Sequence, residues 1–312
     1  MYSLVIPVYR NEGSILELVD IVSEIDGKLN GRLEVIFVVD GSPDRCAELL
    51  RERLSGLDLE ARLLVLSRNF GSFPAVRAGL TEARGPYYAT LAADLQEPPE
   101  LVLSYFQTLE SEPVDVALGQ REGRGDPLFS RLSSGLFWFL YRRFVQPEMP
   151  KGGVDSFGCN QAFRDRLLAL EESNSSLVGL IFWLGFRRKL IPYRRHTRRH
   201  GKSAWTLGRK ARYLVDSVFA FSDLPIRLLV MMGVLGLMLS ASLSLVVILA
   251  RFTGTIEVPG YAATVLVISF FAALNSLALG ILGSYVWRAF ENTKGRPQVV
   301  VMDRSEFKRE RA

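Results

Sequence analysis

Two stretches between Ile226 and Trp287 constrain this chain more than any other feature. Ile226–Ala250 is 25 residues long with Arg227 only at its edge, and Ala262–Trp287 is 26 residues long without a charge. At about 1.5 Å rise per residue, either one as a helix exceeds the roughly 30 Å hydrocarbon core of a bilayer. A soluble core rarely needs so long an uncharged run, so the pair predicts a two-helix transmembrane hairpin over 226–287. The connecting loop, Arg251–Tyr261, carries one arginine, whereas both flanks are densely basic. The positive-inside rule then puts both termini in the cytoplasm. Ser276, Gly280 and Ser284 recur at four-residue spacing, a small-residue stripe suited to helix packing between protomers of a homo-oligomer.

Residues 1–225 read differently, as a soluble α/β protein. The net charge of +5 is concentrated: Arg187–Arg212 holds eleven Lys or Arg, both histidines and no acid. Such a block suits nucleic acid or an anionic membrane surface, and its place just before the apolar region selects membrane lipids. Arg187–Arg195 is accordingly read as general attraction to the membrane surface. Cys46 and Cys159 have no pair spacing and no metal-site pattern, as for reduced, cytosol-facing thiols. No cleavable leader is expected, because Tyr2–Val8 is short and lacks basic residues before it.

Strands and helices alternate. Ser3–Val8, Leu33–Val39, Arg62–Ser67, Tyr87–Ala92 and Val114–Gly119 read as strands. Between them lie a helix from Asn11–Glu12 with Ile15, Leu18, Val19, Val22 and Ile25 on one face, a helix to about Leu54, and one through Ala75–Ala83. The alternation predicts a parallel sheet wound in the Rossmann manner. Pro98-Pro99 stops whatever precedes it. Leu128–Phe144, aromatic with basic ends, suits an ordinary core helix and equally a helix at a membrane interface over 128–145, and 206–225 suits a second, juxtamembrane one. The domain reading is thus 1–205 catalytic, 206–225 juxtamembrane, 226–287 spanning (226–250 and 262–287), and 288–312 a basic cytoplasmic tail.

Ligands of open α/β sheets sit beyond the carboxyl ends of the strands. Four loops leave such ends: Tyr9–Glu12, Asp40–Asp44, Arg68–Gly71 and Asp94–Glu97. Pro7, Tyr9 and Glu12 border the first, where Tyr9 can line a nucleotide base. Asp40 can accept from a base N–H, and Arg68 can steady a ring or ribose. Asp94 and Gln96 offer hard oxygen ligands at alternate positions, suited to Mg²⁺ or Mn²⁺ against a diphosphate.

IPVYRNE, VDGSPD, LSRNFG with AVRAGL, and ADLQEPPEL, in this order, resemble the family 2 glycosyltransferases of GT-A fold. More narrowly, the chain is similar to membrane-anchored polyprenyl-phosphate hexosyltransferases, relatives of dolichyl-phosphate mannose synthase. RRHGKSAW and the closing GSYVWRAFENTKGRP extend the likeness over nearly the whole chain. The resemblance implies a bacterial inner-membrane enzyme with a cytoplasmic catalytic domain. Its donor would be a UDP- or GDP-sugar, and its acceptor undecaprenyl or another polyprenyl phosphate. Inverting transfer would give a monophosphosugar for envelope glycan or lipid modification. It also implies a divalent metal on Asp94 and Gln96, acceptor phosphate on Arg121 and Arg131 with Ser133, and donor phosphates under Lys202 and Ser203. Asp94, Arg121 and Arg131 are then the catalytic set.

Two departures from the family pattern stand out. Val39-Asp40 and Ala92-Ala93-Asp94 each lack a carboxylate that relatives commonly carry. The loss at Ala92 can weaken the metal grip, shift it to Glu97, retune the donor, or mark a catalytically silent nucleotide-sugar-binding scaffold. Asn160 stands where many relatives have Asp, with Asp155 close by to compensate. A processive polysaccharide synthase fits less well, because neither a Gln-x-x-Arg-Trp motif nor further spans are present.

Overall fold

The computed structural model describes residues 1–122, 139, 141–143, 145–150, 153–172, 176–197, 207–253 and 260–309. The chain forms two compact units, Met1–Leu214 with Arg296–Ala312, and Val215–Gly295.

The first unit is built on an eight-stranded sheet. Its strands are β1 (Tyr2–Val8), β2 (Leu33–Val39), β3 (Glu60–Leu66), β4 (Tyr87–Thr90), β5 (Val116–Arg121), β6 (Val154–Asn160), β7 (Arg188–Tyr193) and β8 (Val301–Phe307). Its helices are α1 (Ile15–Lys28), α2 (Cys46–Leu54), α3 (Ser72–Glu82), α4 (Pro99–Ser111), α5 (Gln161–Leu168) and α6 (Leu177–Trp183). The strand order is β7-β5-β6-β4-β1-β2-β3-β8. β4, β1, β2 and β3 are parallel neighbours, as the strand–helix alternation predicts. The all-parallel reading fails at two places. β6 lies antiparallel between β4 and β5, and β8 runs antiparallel along β3. Because β6 opposes both neighbours, β5 still points with β4, and β7 pairs parallel to β5. The carboxyl ends of β1 to β5 and β7 therefore share one edge. This mixed α/β sheet is a GT-A fold.

Burial follows the sequence pattern. β2 is buried throughout, and α1 packs Ile15, Leu18, Val19, Val22 and Ile25 into the core, the face read from its spacing. α3 approaches the sheet so closely that a Cβ on Gly79 would lie 2.3 Å from Val5 Cγ1, so only glycine fits there. Pro98 and Pro99 end one element and begin another. Pro99 opens α4, a position where the missing N–H costs nothing.

β8 lies inside the stretch read as a tail. Its middle, Asp303 to Glu306, is polar, and ion pairs fasten it: Arg51–Asp303 (2.5 Å), Arg304–Glu82 (3.1 Å) and Arg84–Glu306 (3.1 Å). Arg309 adds a further pair with Asp26.

The basic segment 187–195 is also more than a charged surface. Arg187 grips the buried Asp115 through Nε (2.8 Å) and Nη2 (2.9 Å), Arg188 pairs with Glu148, and Lys189 with Glu112. Asn160 caps α5 by accepting from Phe163 N–H and donates to Asp115 at 2.9 Å. The Arg187 guanidinium, with Asn160, holds the Asp115 carboxyl down at about 2. A carboxyl depressed below its ordinary value of 3.8 stabilises the fold above that pH and loses its contribution as pH falls from about 4 to 2. The shift alone corresponds to about 2 kcal/mol, and the exposure of Arg187 discounts it to about 1 kcal/mol. Thermal melts in detergent should show wild type more stable than Asp115→Asn at pH 6, the gap narrowing as pH falls from about 4 towards 2. A gap that stays constant with pH would refute the pairing.

Both cysteines are free and buried, and burial pushes the Cys46 thiol up to about 12 and Cys159 higher still, so neither is reactive.

Most of 128–145 lies outside the described residues. Within it, Phe139 is exposed, while Tyr141 is buried and stacks on Tyr213 with ring centroids 6.1 Å apart. Helix α7 (Leu207–Phe221) leads into α8 (Leu224–Phe252), and α9 (Tyr261–Thr293) follows. In the second unit, Arg288 pairs with Asp216 at 2.6 Å, and Gly236 lets α8 meet Phe271 of α9. Among the described residues, one stretch is long and apolar enough to cross a membrane, Phe270–Thr293, with mean hydropathy 1.5 and none of it buried. Tyr213–Phe221 and Leu224–Gly236 meet the same criteria only when taken together, and they are bent by 78°. A Cβ on Gly280, in the small-residue stripe, would meet nothing within 4 Å.

Candidate functional site

The shared edge of β1 to β4 collects the four loops read from the sequence, and hydrogen bonds tie them to one another. Pro7 sits in β1 opposite Val38, and Tyr9 follows the strand, with the Arg10 guanidinium 5.4 Å from its ring. Arg10 holds a left-handed backbone (φ 54°), and its N–H donates to Ser42 Oγ at 2.8 Å. Glu12 N–H donates to Asp44 at 3.2 Å, and Glu12 Oε2 accepts from Arg45 N–H at 3.3 Å. The loops after β1 and β2 are thereby joined by three hydrogen bonds.

Asp40 serves the next loop. Its buried carboxylate accepts from Phe70 N–H (2.7 Å), Gly71 N–H (2.8 Å) and Asn69 Nδ2 (3.0 Å). Burial pushes this carboxyl above its ordinary value, against the pull of those N–H groups. The contact is close enough to require glycine at 41. A Cβ there would stand 2.1 Å from the Arg68 carbonyl carbon, and φ is +55°. Arg68 lies with its guanidinium 4.0 Å from the Phe70 ring centroid. Asp40, read from the sequence as a partner for a base N–H, thus also shapes the loop carrying Arg68.

After β4 the chain turns sharply. Leu95 adopts a positive φ of 58°, which is costly for a side chain of its size and is kept where surrounding contacts enforce it. This turn sets Asp94 and Gln96 side by side, with Gln96 N–H donating to Asp94 Oδ1 at 3.3 Å. Ser14 Oγ donates to Ala93 O at 2.9 Å, fastening the turn to the start of α1. Glu97 is buried and accepts from Ala92 N–H at 3.0 Å, which holds the shape of the loop.

The residue that sequence reasoning passed over is Arg195. β7 runs parallel to β5 and delivers 194–196 to the same edge. His196 N–H donates to Gln96 O at 2.9 Å, and Gln96 Nε2 returns a bond to His196 O at 3.4 Å. Arg195 Nη2 then donates to Gln96 Oε1 and lies 3.8 Å from Asp94 Oδ2. No spacing rule links positions 99 residues apart. The one available signal was that 195 follows directly on a strand.

Two oxygens converging on one positively charged nitrogen fit a hard cation, with Arg195 Nη2 as its stand-in. Among the described residues, no group of three or more His, Cys, Asp or Glu could hold a metal unaided. Such an ion would depend on Asp94, Gln96 and the phosphates it meets.

Arg121 ends β5 at the same edge, opposite Tyr193 of β7. Arg131, Ser133, Lys202 and Ser203 lie outside the described residues.

The chain resembles several glycosyltransferases along its length. An uncharacterized glycosyltransferase of Bacillus subtilis (strain 168) is 29% identical over 96% of this chain and 93% of its own. An undecaprenyl-phosphate 4-deoxy-4-formamido-L-arabinose transferase of Edwardsiella ictaluri is 28% identical over 96% of this chain and 93% of its own. A solved mannosyltransferase of Pyrobaculum calidifontis, in complex with GDP-Man and Mn²⁺, is 15% identical, covering 94% of this chain and 86% of its own with a TM-score of 0.45. The glycosyl transferase family 2 profile matches residues 3–169, from the first strand through the end of α5. Because that match takes in more than half of the sequence and all four loops of the site, the chain belongs to glycosyl transferase family 2.

Proposed function

We propose that the protein transfers a hexose-like sugar from a UDP- or GDP-sugar to undecaprenyl phosphate, or another polyprenyl phosphate, on the cytoplasmic leaflet of a bacterial inner membrane. The observation that carries this reading is the joining of four strand-end loops at one edge, with Asp94 and Gln96 fixed at its centre. The Edwardsiella relative, named for transfer to undecaprenyl phosphate and similar from end to end, supports the acceptor class. Helices α8, 29 residues long, and α9, 33 residues long, would anchor the catalytic unit as a two-span hairpin. The product would be a polyprenyl monophosphosugar with inverted anomeric configuration, and the stripe at Ser276, Gly280 and Ser284 would serve homo-oligomer packing.

The chemistry follows from charge. A lipid phosphate oxygen is already anionic, so it needs orientation more than a general base. Arg121, Arg131 and Ser133 would hold it, guanidinium forks suiting phosphate. The loops at Tyr9, Asp40 and Arg68 would seat the nucleoside, and Lys202 with Ser203 would close on the donor phosphates. Asp94 and Gln96 would hold Mg²⁺ or Mn²⁺, which neutralises charge on a departing diphosphate.

The test is a panel of UDP- and GDP-sugars with undecaprenyl phosphate, using the full chain in detergent. One donor should give a lipid-linked sugar, and EDTA should abolish it. If nucleotides bind and no donor reacts, Ala92 and Val39 mark a silent nucleotide-sugar-binding scaffold instead.

A further inference from the structure

We propose that Arg195 is the resident counter-ion of Asp94 and Gln96: a guanidinium that occupies the cation position while the site is free of nucleotide and must leave before a divalent cation enters. This rests on reading the loop after β4 as the donor site.

Three observations carry it. First, the oxygens of Asp94 and Gln96 that suit a cation both face the same atom, Arg195 Nη2. A guanidinium nitrogen and a divalent cation cannot share that point, since like charges at such a separation repel. Second, the arginine is delivered there by a fixed backbone. The reciprocal bonds between residues 96 and 196 clamp its chain segment to the acidic loop, so its position does not depend on the side chain alone. Third, its side chain remains 31% exposed, whereas that of Asp94 is 13% exposed, so the guanidinium has solvent to swing into.

The consequence is coupling. The divalent cation and Arg195 compete for Asp94, and the phosphates of a nucleoside diphosphate offer the displaced guanidinium a new partner. The cation should then bind poorly alone and well with nucleotide, and the free enzyme should resist loading with metal.

The experiment is Mn²⁺ binding to the full chain in detergent, followed by electron paramagnetic resonance of free Mn²⁺, without nucleotide and with saturating UDP or GDP. Wild type should bind Mn²⁺ more tightly with one of the two nucleotides than without. Arg195→Gln should raise nucleotide-free affinity about tenfold, within the usual range for coupled sites. Arg195→Lys, which keeps the charge and loses the fork, should fall between. Adding Asp94→Ala to Arg195→Gln should remove the gained binding. The proposal is overturned if Arg195→Gln leaves nucleotide-free Mn²⁺ affinity unchanged or weaker, or if the gain survives Asp94→Ala. No sugar transfer enters the readout, so failure here is separate from failure of the transferase reading.

Discussion

Asp94→Asn is expected to lower sugar transfer by about 10²–10³-fold, the loss usual when a group that meets developing charge is neutralised. The substitution keeps size and shape while removing the charge that fits a divalent cation. It should do little to the fold. Asparagine keeps an oxygen that can accept from Gln96 N–H, as Asp94 Oδ1 does at 3.3 Å, so the melting temperature should move by no more than about 2 °C. Glu97→Gln makes the informative contrast. Its carboxylate is buried and bonded to Ala92 N–H, so its loss should disturb the loop itself and act on stability as well as rate. Measured as kcat/KM with the responding donor, Asp94→Asn retaining more than about a tenth of wild-type activity would remove this loop from the charge-bearing part of the reaction.

Much of this arrangement was legible because it is local. The α1 face repeats at helical spacing, and the strand-end loops carry their acids within a few residues of buried strands, so pattern and position were readable together. What was not legible depends on contacts between distant segments. Arg195 belongs to a run of eleven basic residues that, read alone, has the charge of a membrane-facing surface. Only the parallel pairing of β7 with β5 brings it to Asp94. β8 was hidden for the opposite reason. Four of its seven residues, Asp303 to Glu306, are polar in an unbroken run, and what holds them is a set of arginines and acids from β3, α2 and α3, which no window of sequence contains. The antiparallel insertion of β6 follows a long excursion whose length says nothing of the direction of return. Asp40 shows a subtler limit. Its place at the end of a buried strand was plain, but its service to the Phe70–Gly71 backbone needed the third strand beside it.

The largest expected loss of stability comes from the far end of the same sheet, where Arg62→Met should cost about 3 kcal/mol. Glu34 and Arg62 are charged side chains near the starts of the neighbouring strands β2 and β3, only 3% and 6% exposed, joined at 3.0 Å. A buried carboxylate that loses its cation is left with an uncompensated charge, which costs about 3–5 kcal/mol. Three donors remain on Glu34 and temper that figure: Ser3 Oγ at 2.6 Å, Gly85 N–H at 3.0 Å and Arg84 N–H. Arg62 also donates to Glu82 O and lies 3.5 Å from Glu306 of β8, so its removal loosens the last strand along with the pair. For a unit of this size the loss should appear as a fall of about 6–12 °C in the detergent-solubilised melt. The double variant, Arg62→Met with Glu34→Gln, separates charge from packing. Glutamine keeps an acceptor for Ser3 and Gly85 and no longer needs a guanidinium, so the double variant should melt above Arg62→Met alone. If it melts lower, the buried ion pair is not what Arg62 contributes, and its aliphatic packing and its bond to Glu82 O account for the loss instead.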